Sequence, residues 1–285
     1  MYEAKCLADI LSERGYCMII AFYGVPGGST ATTSNLISIA LMSHFQYGYS
    51  VLMAALCRGS ASLEMAFEER EQEVKVMEEA GYFFHQGMDL ILQEAAIGGL
   101  NCEILKRATK EVLPEKIRLL PSAKGSCEER VWQILEEHGG KLLDCMEESA
   151  DLVFLDCGKG KYSFMREIKK RAGVLVVNLT QSQRILNQFF QTRQTYLEKT
   201  VYLTGHYEDL YPCNRSYILR NYRIAPENLV EISYHPGLRD VQERGRYLKF
   251  FMKNMPVPAY EKNRQFLYEI QLATDRILRK GKILG

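Results

Sequence analysis

Residues 18–36 of the chain read MIIAFYGVPGGSTATTSNL. Residues 18–22 are an apolar run without polar alternation, which is typical of a strand buried on both faces. The glycines and the proline that follow predict a tight turn, and residues 32–45 then have the pattern of a helix. This order is typical of a phosphate-binding loop, in which backbone N–H groups and the helix N-terminus face an anion. The alternative for this segment alone is a tight Gly-Pro turn followed by threonine helix caps.

The same order of buried strand and longer helix recurs along the chain. Residues 128–149 and 182–196 have helical patterns, and residues 64–107 are charged and helical in character. We therefore expect an α/β fold, a three-layer α/β/α sandwich around a doubly wound, mainly parallel sheet of about seven or eight strands. The further apolar runs that predict strands are residues 51–56, 117–120, 152–155, 174–177, 201–203 and 229–232.

Length and charge limit the classes of function. The chain has 285 residues, which suits one large α/β domain, and its net charge is +1. So balanced a charge gives no electrostatic reason for the whole surface to bind nucleic acid or membrane. No run approaches the roughly 18 apolar residues needed to span a bilayer, and the N-terminus lacks a secretory signal. None of the eight cysteines forms a CxxC pair, so we interpret them as reduced thiols of a cytoplasmic protein.

We expect residues 18–285 to form a single domain and residues 1–17 to be a leader or an extra N-terminal helix. Residues 13–15, Glu-Arg-Gly, can be encoded by a purine-rich run that resembles a bacterial ribosome-binding site, which would place the native start at Met18. The alternative is an amphipathic helix that carries on one face Leu7, Ile10 and Leu11.

The glycine-rich loop lacks the cation that such loops use. The consensus GxxxxGK[ST] carries a lysine that reaches the β- and γ-phosphates of a nucleotide. Here Ser29 follows Gly28, and no lysine or arginine occurs between residues 18 and 56. A phosphate bound here would therefore depend on backbone N–H groups and hydroxyls.

In register with Asn35, the loop resembles the deviant Walker A loop of the ParA/MinD (SIMIBI) family of P-loop NTPases, whose pattern is KGGxGK[ST]. Gly24 then stands at the signature lysine, Ser29 at the P-loop lysine and Thr30 at the magnesium-binding Thr/Ser. The resemblance covers most of residues 18–251. It implies that the residues around a phosphate would be Gly24, Gly27, Gly28, Ser29, Thr30, Ala31 and Thr32.

The acidic motifs of the family are kept only in part. Residues 151–160 read DLVFLDCGKG and resemble the Walker B segment, so Asp156 stands at the carboxylate that holds magnesium together with Thr30. The alternative for Asp156 is a cap of the following helix. The second strand of the family ends in D-x-D, but Ala55 and Cys57 occupy those positions here. The carboxylate that orients the attacking water is therefore absent.

Residues 232–236 read ISYHP and resemble the loop that packs against adenine in relatives, which makes His235 and Pro236 candidate adenine contacts. The alternative for His235 is an ordinary loop histidine.

Lys159 is the best candidate for a replacement cation, with a solvated loop lysine as the alternative. ATP or ADP with magnesium is the implied cofactor, and a chain that binds no nucleotide is equally compatible with the altered loop.

Both missing lysines and the missing carboxylate affect one reaction, because phosphoryl transfer to water depends on charge stabilisation and positioning. Within the family, degenerate loops are typical of TadZ/CpaE-like members, and this chain resembles them in that respect. The leading hypothesis is therefore a pseudo-ATPase, a localisation or scaffolding factor that acts as a homodimer with partners of a Tad-type pilus or secretion apparatus. The alternative is an atypical ATP-binding switch of the ParA/MinD type, for partitioning or positioning.

The C-terminal segment could in principle contact a membrane or DNA. Phe266, Ile270, Ala273 and Ile277 recur at helical spacing opposite basic residues, as in a membrane-surface helix. The alternative is a terminal helix packed on the domain. We expect a cytoplasmic protein, with a membrane-associated or polar position as the alternative, and we do not expect DNA as a partner. A DNA-bound partition protein would need a basic patch, and the visible cluster is Arg276, Arg279, Lys280 and Lys282.

Overall fold

A computed structural model describes residues 17–27, 30–56, 63–68, 86–158, 163–191, 197–255 and 263–284. The predictions for the leader up to residue 16, and for Gly28, Ser29, Cys57 and Lys159, lie outside these residues.

One sheet forms the centre of the molecule. The strands of the described residues are β1 (Met18–Gly24), β2 (Val51–Ala55), β3 (Lys110–Leu113), β4 (Ile117–Leu120), β5 (Leu152–Asp156), β6 (Val174–Leu179), β7 (Thr200–Tyr207) and β8 (Leu229–Ser233). They form an eight-stranded sheet in the order β3-β4-β2-β5-β1-β6-β7-β8, in which β3 and β4 are antiparallel and the other pairs are parallel. In the register of β1, Phe22 lies beside Asp156 and Gly24 beside Asn178, so the end of β1 lies between the ends of β5 and β6.

Helices cover both faces of the sheet. The α-helices of the described residues are α1 (Thr32–Tyr47), α2 (Gly87–Ala96), α3 (Cys102–Ala108), α4 (Glu128–Glu147), α5 (Met165–Arg171), α6 (Gln183–Gln191), α7 (Arg215–Tyr222), α8 (Pro236–Glu243), α9 (Tyr247–Asn254) and α10 (Arg264–Lys280). Alternate residues of each central strand point to opposite faces. One face packs against buried side chains of α1 and α8–α10, and the other against those of α2–α7. The predicted three-layer sandwich is thereby confirmed.

The strand β3 was not predicted. Its sequence, KEVL, is exposed at Lys110 and Glu111 and only half-buried at the next two residues, so it lacks the apolar run that indicates a central strand. Among the described residues it pairs with β4 alone and carries a register shift, and both its charge and its short length protect a sheet edge from unwanted pairing.

The opposite edge, β8, is covered by side chains. The Leu229 carbonyl accepts hydrogen bonds from Arg215 Nη1 at 3.0 Å and from Arg276 Nη1 at 2.8 Å. The Ser233 N–H donates to Glu269 Oε2 at 2.8 Å. Such contacts satisfy strand groups that another chain could otherwise pair with.

The C-terminal helix α10 packs on the domain. Its apolar residues Phe266, Ile270, Ala273 and Ile277 are all buried, so the face that a membrane-surface helix would need is occupied by the core. Lys280 Nζ donates to Asn228 Oδ1 at 2.8 Å. The structure therefore supports the packed-helix interpretation. In the part of the chain that the structure describes, no helix is long and apolar enough to cross a membrane.

Candidate functional site

The glycine-rich loop leaves the sheet at the end of β1 and is held from both sides. The Gly24 N–H donates to the Gly158 carbonyl at 2.8 Å, and the Val25 N–H donates to the Asn178 carbonyl at 3.0 Å. Gly27 has a φ of +91°, a conformation that favours glycine. The loop therefore lies in the crevice at the carboxyl ends of the parallel strands, where ligands of doubly wound sheets bind.

The helix after the loop starts in an unusual way. Ala31 precedes α1 with φ 51° and ψ 26°, the left-handed region, and makes no side-chain cap for the helix. A non-glycine residue in this region costs about 1–3 kcal/mol, and such strain concentrates at functional sites. Because the first N–H groups of a helix have no intrahelical partner, the start of α1 can receive an anion.

Two threonine hydroxyls fill the space beside Gly24. Thr30 is buried, and its Oγ1 lies 2.8 Å from Thr32 Oγ1. A Cβ atom built at Gly24 would lie 2.8 Å from each of these oxygens, closer than real Cβ contacts allow. The position that carries the signature lysine in the ParA/MinD pattern therefore has no room for a side chain in this conformation.

Asp156 lies at the end of β5 and is buried. Its Oδ2 accepts a hydrogen bond from Thr33 Oγ1 at 2.7 Å, and its Oδ1 accepts one from the Gly158 N–H at 3.1 Å. The structure thus connects Asp156 to the first turn of α1 through Thr33 and not through Thr30. Asp156 does not cap the following helix α5, whose N-cap residue is Phe164.

The protein environment acts on Asp156 in two opposing ways. Burial raises the pKa of its carboxyl group, and the hydrogen bonds from Thr33 and Gly158 offset part of that rise. Carboxylate and hydroxyl oxygens are ligands that magnesium prefers, so Asp156 with a threonine of the loop fits a magnesium ion that keeps several waters. Both carboxylate oxygens already accept protein hydrogen bonds, which such an ion would have to displace or share. Among the described residues, no group of three or more His, Cys, Asp or Glu side chains is placed to hold a metal ion.

Asp156→Asn is expected to raise the stability of the chain at pH 7. A raised pKa means that protonated Asp156 stabilises the fold at low pH, and that this contribution is lost as pH rises through the folded-state pKa. Asparagine keeps one acceptor and carries no charge, so its advantage should shrink as pH falls through the folded-state pKa and be absent below about pH 4, where the unfolded chain is protonated too. Urea unfolding of both proteins between pH 3 and pH 7 measures the difference.

The control is Asp240→Asn, which removes one charge from an exposed carboxylate and should change stability by less than about 1 kcal/mol. A stability difference between Asp156→Asn and the parent that does not vary with pH would contradict the interpretation.

The first turn of α1 is also connected to β6 and β7, through contacts that the sequence did not indicate. Asn35 Nδ2 donates to Asn178 Oδ1 at 2.8 Å, and both side chains are buried. A Cβ at Gly205 of β7 would lie 2.6 Å from Asn35 Nδ2 and 3.0 Å from the Thr30 carbonyl. The absence of a side chain at Gly205 therefore lets β7 approach the loop closely.

A cavity of about 450 Å³ lies between the first turn of α1 and the ends of β7 and β8. Burial, followed by the charge of Arg239, lowers the pKa of His206, which favours the neutral ring in this cavity. The residues that line it include Ser34, Asn35, His206, Tyr234, Arg239 and Gln242.

His235, a predicted adenine contact, is the N-cap residue of α8, and Pro236 is the first residue of that helix. Its Nδ1 accepts a hydrogen bond from the Leu238 N–H at 3.0 Å, and its Nε2 lies 3.1 Å from Asn263 Oδ1. The ring centroid is 4.7 Å from that of Phe266. Both ring nitrogens are therefore used within the protein, although the ring still borders the cavity.

The sheet order, the helices on both faces and the loop after β1 define the P-loop NTPase fold of the ParA/MinD type. The chain is similar to a ParA family ATPase from Chlorobium tepidum, with a TM-score of 0.67 and 14% identity over 93% of this chain and 98% of that chain. It is similar to the septum site-determining protein MinD of Pyrococcus horikoshii complexed with Mg-ADP, with a TM-score of 0.56 and 14% identity over 93% and 98% of the chains.

A third similar structure is the MinC:MinD cell division protein complex of Aquifex aeolicus, with a TM-score of 0.57 and 13% identity over 92% of this chain and 96% of that chain. No protein-family model matches the chain, and no curated protein matches its sequence. At these identities the likeness establishes the fold, so function has to be argued from the site.

Proposed function

We propose that the chain is a catalytically degenerate protein with the ParA/MinD fold, which acts as a localisation or scaffolding factor through protein partners. The observation that carries the proposal is the arrangement around Gly24 and Asp156. The hydroxyls of Thr30 and Thr32 occupy the space beside Gly24, which stands at the signature lysine. The carboxylate of Asp156 accepts hydrogen bonds from Thr33 and Gly158. Both carboxylate oxygens of Asp156 therefore have hydrogen-bond partners within the chain without a nucleotide.

The missing charges explain why hydrolysis is not expected. Removal of one electrostatic donor from a catalytic site typically costs a factor of about 10²–10³ in rate. No lysine or arginine occurs between residues 18 and 56, and Ala55 and Cys57 replace the acidic pair. Asp156 adds negative charge beside the loop, which disfavours ATP unless magnesium is present.

The identity of the partners is proposed from the family resemblance. The likeness of the altered loop to those of TadZ/CpaE proteins indicates a pilus or secretion apparatus of the envelope. A matched structure is named as a complex of MinD with MinC, which supports protein binding as a use of this fold. We propose a homodimer as the active form, and a cytoplasmic location that includes the pole or the membrane surface.

The alternative, an ATP-binding switch, is favoured by one observation. The uncapped start of α1 borders a cavity of about 450 Å³ that also contains Arg239. Arg239 Nε donates to Glu243 Oε1 at 3.0 Å, and the side chain is mostly exposed, so it could turn toward an anion. A matched structure is named as a complex with Mg-ADP.

Calorimetric titration of the full chain with ATP and ADP, each with and without magnesium, separates the two functions. The scaffold predicts no saturable binding up to millimolar nucleotide, no magnesium-dependent phosphate release, and a dimer by light scattering in all samples. The switch predicts micromolar binding that Asp156→Ala weakens at least tenfold, because the magnesium ligand is lost. Asp240→Ala, at an exposed carboxylate, is the matched control and should leave both results unchanged.

Magnesium-dependent phosphate release that is lost in Asp156→Ala would overturn the scaffold proposal in favour of the switch. A monomer with and without nucleotide would count against both proposals, since each assumes a dimer.

A further inference from the structure

A loop at the carboxyl end of the sheet presents two large apolar side chains to solvent. It follows β7 and comprises residues 208–212, EDLYP, here called the anchor loop. Leu210 is 98% exposed and Tyr211 is 50% exposed. Glu208 and Asp209 precede them and are exposed too, and the loop contains no basic residue. The anchor loop is therefore an exposed apolar tip with an acidic border.

The backbone of the anchor loop is fixed although its tip is exposed. Gln181 Nε2 donates to the carbonyl of Glu208 at 2.9 Å and to that of Cys213 at 3.2 Å, and Gln181 Oε1 accepts from the Glu208 N–H at 2.8 Å. The hydroxyl of Tyr207 donates to Asp209 Oδ1 at 2.7 Å. A loop that is ordered before it meets a partner loses less conformational entropy on binding. The apolar tip is thus held in one position for a partner.

A second surface has the opposite charge. It is formed by α9 and the first turns of α10, and is here called the basic face. Its exposed basic and large apolar residues are Lys249, Met252, Lys253, Arg264 and Tyr268. Met252 is 56% exposed and Tyr268 48%. No acidic residue occurs in α9 or in residues 263–268. The basic face therefore combines apolar side chains with positive charge, as a complement to the anchor loop requires.

Both surfaces lie at the carboxyl ends of β7 and β8. These strands are parallel, and the anchor loop follows the end of β7. Glu269 of α10 accepts from Ser233 at the end of β8, whereas Arg276 donates to Leu229 at its start. The helix α10 therefore runs antiparallel to β8, and its first turns lie at the same end of the sheet as the anchor loop. A cavity of about 350 Å³, lined by residues of both the anchor loop and α10, lies between the two surfaces.

We infer that the anchor loop of one copy of this chain docks on the basic face of a second copy, and that a two-fold axis makes the reverse contact at the same time. Because both surfaces lie at one end of the sheet, a second copy turned by 180° can place each surface on its complement. The apolar tip then meets the exposed methionine and tyrosine of the basic face, and the acidic border meets its lysines and arginine. The inference rests on the proposed homodimer for the second copy, and it names the surfaces through which that dimer forms without a nucleotide.

The test is the dimer dissociation constant of the full chain, measured by sedimentation velocity over a concentration series. We expect Leu210→Asp to weaken the dimer about tenfold or more, as removal of a central apolar anchor does. Glu208→Lys and Lys253→Glu should each weaken it too, with the larger effect at low salt, because ions screen exposed charges. The double variant restores opposite charges on the two surfaces, so its dimer should be tighter than that of either single charge variant.

Two matched controls lie away from both surfaces. Ile97→Asp changes an exposed isoleucine just after α2, and Lys106→Glu reverses an exposed lysine of α3. Both variants should dimerise like the parent chain. Circular dichroism checks that every variant is folded.

The outcomes separate this inference from the proposed homodimer. A parent chain that stays monomeric would overturn both. A dimeric parent whose dissociation constant is unchanged by the three single variants, or a double variant weaker than both charge variants, would overturn the inference alone. The same holds if every variant dimerises like the parent while Lys253→Glu loses binding to phosphatidylserine vesicles or to duplex DNA, since the basic face would then belong to that partner.

Discussion

Replacement of Asn178 by alanine is expected to lower the free energy of unfolding by about 2–4 kcal/mol, because two buried polar groups each lose a hydrogen bond to its side chain. Asn178 is fully buried near the end of β6. Its Oδ1 accepts from Asn35 Nδ2 at 2.8 Å, and its Nδ2 donates to the Tyr23 carbonyl at 3.2 Å. Alanine provides neither group and leaves the Asn35 amide without its acceptor. Urea unfolding monitored by circular dichroism measures the loss.

Two further variants make this test specific. Asn221→Ala, at an exposed asparagine of α7 whose Nδ2 donates to the Tyr217 carbonyl, should change stability by no more than about 0.5 kcal/mol. The double variant of Asn35 and Asn178 should lose less than the sum of the single variants, by about 1 kcal/mol or more, because both members of one buried pair are removed. Strict additivity would show that the two amides do not stabilise each other.

Gly139→Ala is expected to destabilise the chain by about 1–3 kcal/mol, the typical cost of overpacking a core. Gly139 is a buried residue of α4, and a Cβ atom there would lie 2.3 Å from Phe164 Cζ. The ring is buried directly before α5, so it cannot move aside at low cost. Phe164 lies just before α5, and its displacement would disturb the connection between β5 and that helix.

The neighbouring residue provides the matched control. A Cβ at Gly140 would meet no atom within 4 Å, so Gly140→Ala should stabilise the same helix by about 0.5–1 kcal/mol through helix propensity alone. Thermal and urea unfolding of both variants measure the expected loss of stability in Gly139→Ala and the expected gain in Gly140→Ala. If Gly139→Ala were as stable as Gly140→Ala, the ring would not be packed against the helix as the structure has it.

Much of the fold could be predicted because it depends on local patterns. A strand buried on both faces has a continuous apolar run, and the seven strands other than β3 were predicted from such runs. The strand β3 was missed because Lys110 and Glu111 are exposed at an edge, where an apolar run is not needed. The helix after the loop was predicted over residues 32–45 and extends to Tyr47.

The candidate site could be predicted only as a location. The glycines and Asp156 indicated the end of β1 and the end of β5, but the hydrogen-bond partner of Asp156 could not be deduced, since Thr30, Thr32 and Thr33 are all close in sequence. The structure selects Thr33. Likewise, sequence spacing left open whether His235 contacts a ligand, and its hydrogen bonds to α8 and to Asn263 now account for both ring nitrogens.

The amino-acid sequence was sufficient for the class of fold, the place of the loop and the absence of its lysines, because periodicity, turn residues and residue identity are local properties. The contacts between Asn35 and Asn178 and between Phe164 and Gly139 were decided by the tertiary structure. Each joins residues that are distant in the chain, and their meeting depends on the order of the strands and on how closely each helix packs against its neighbours. Neither property has a local signature in the sequence.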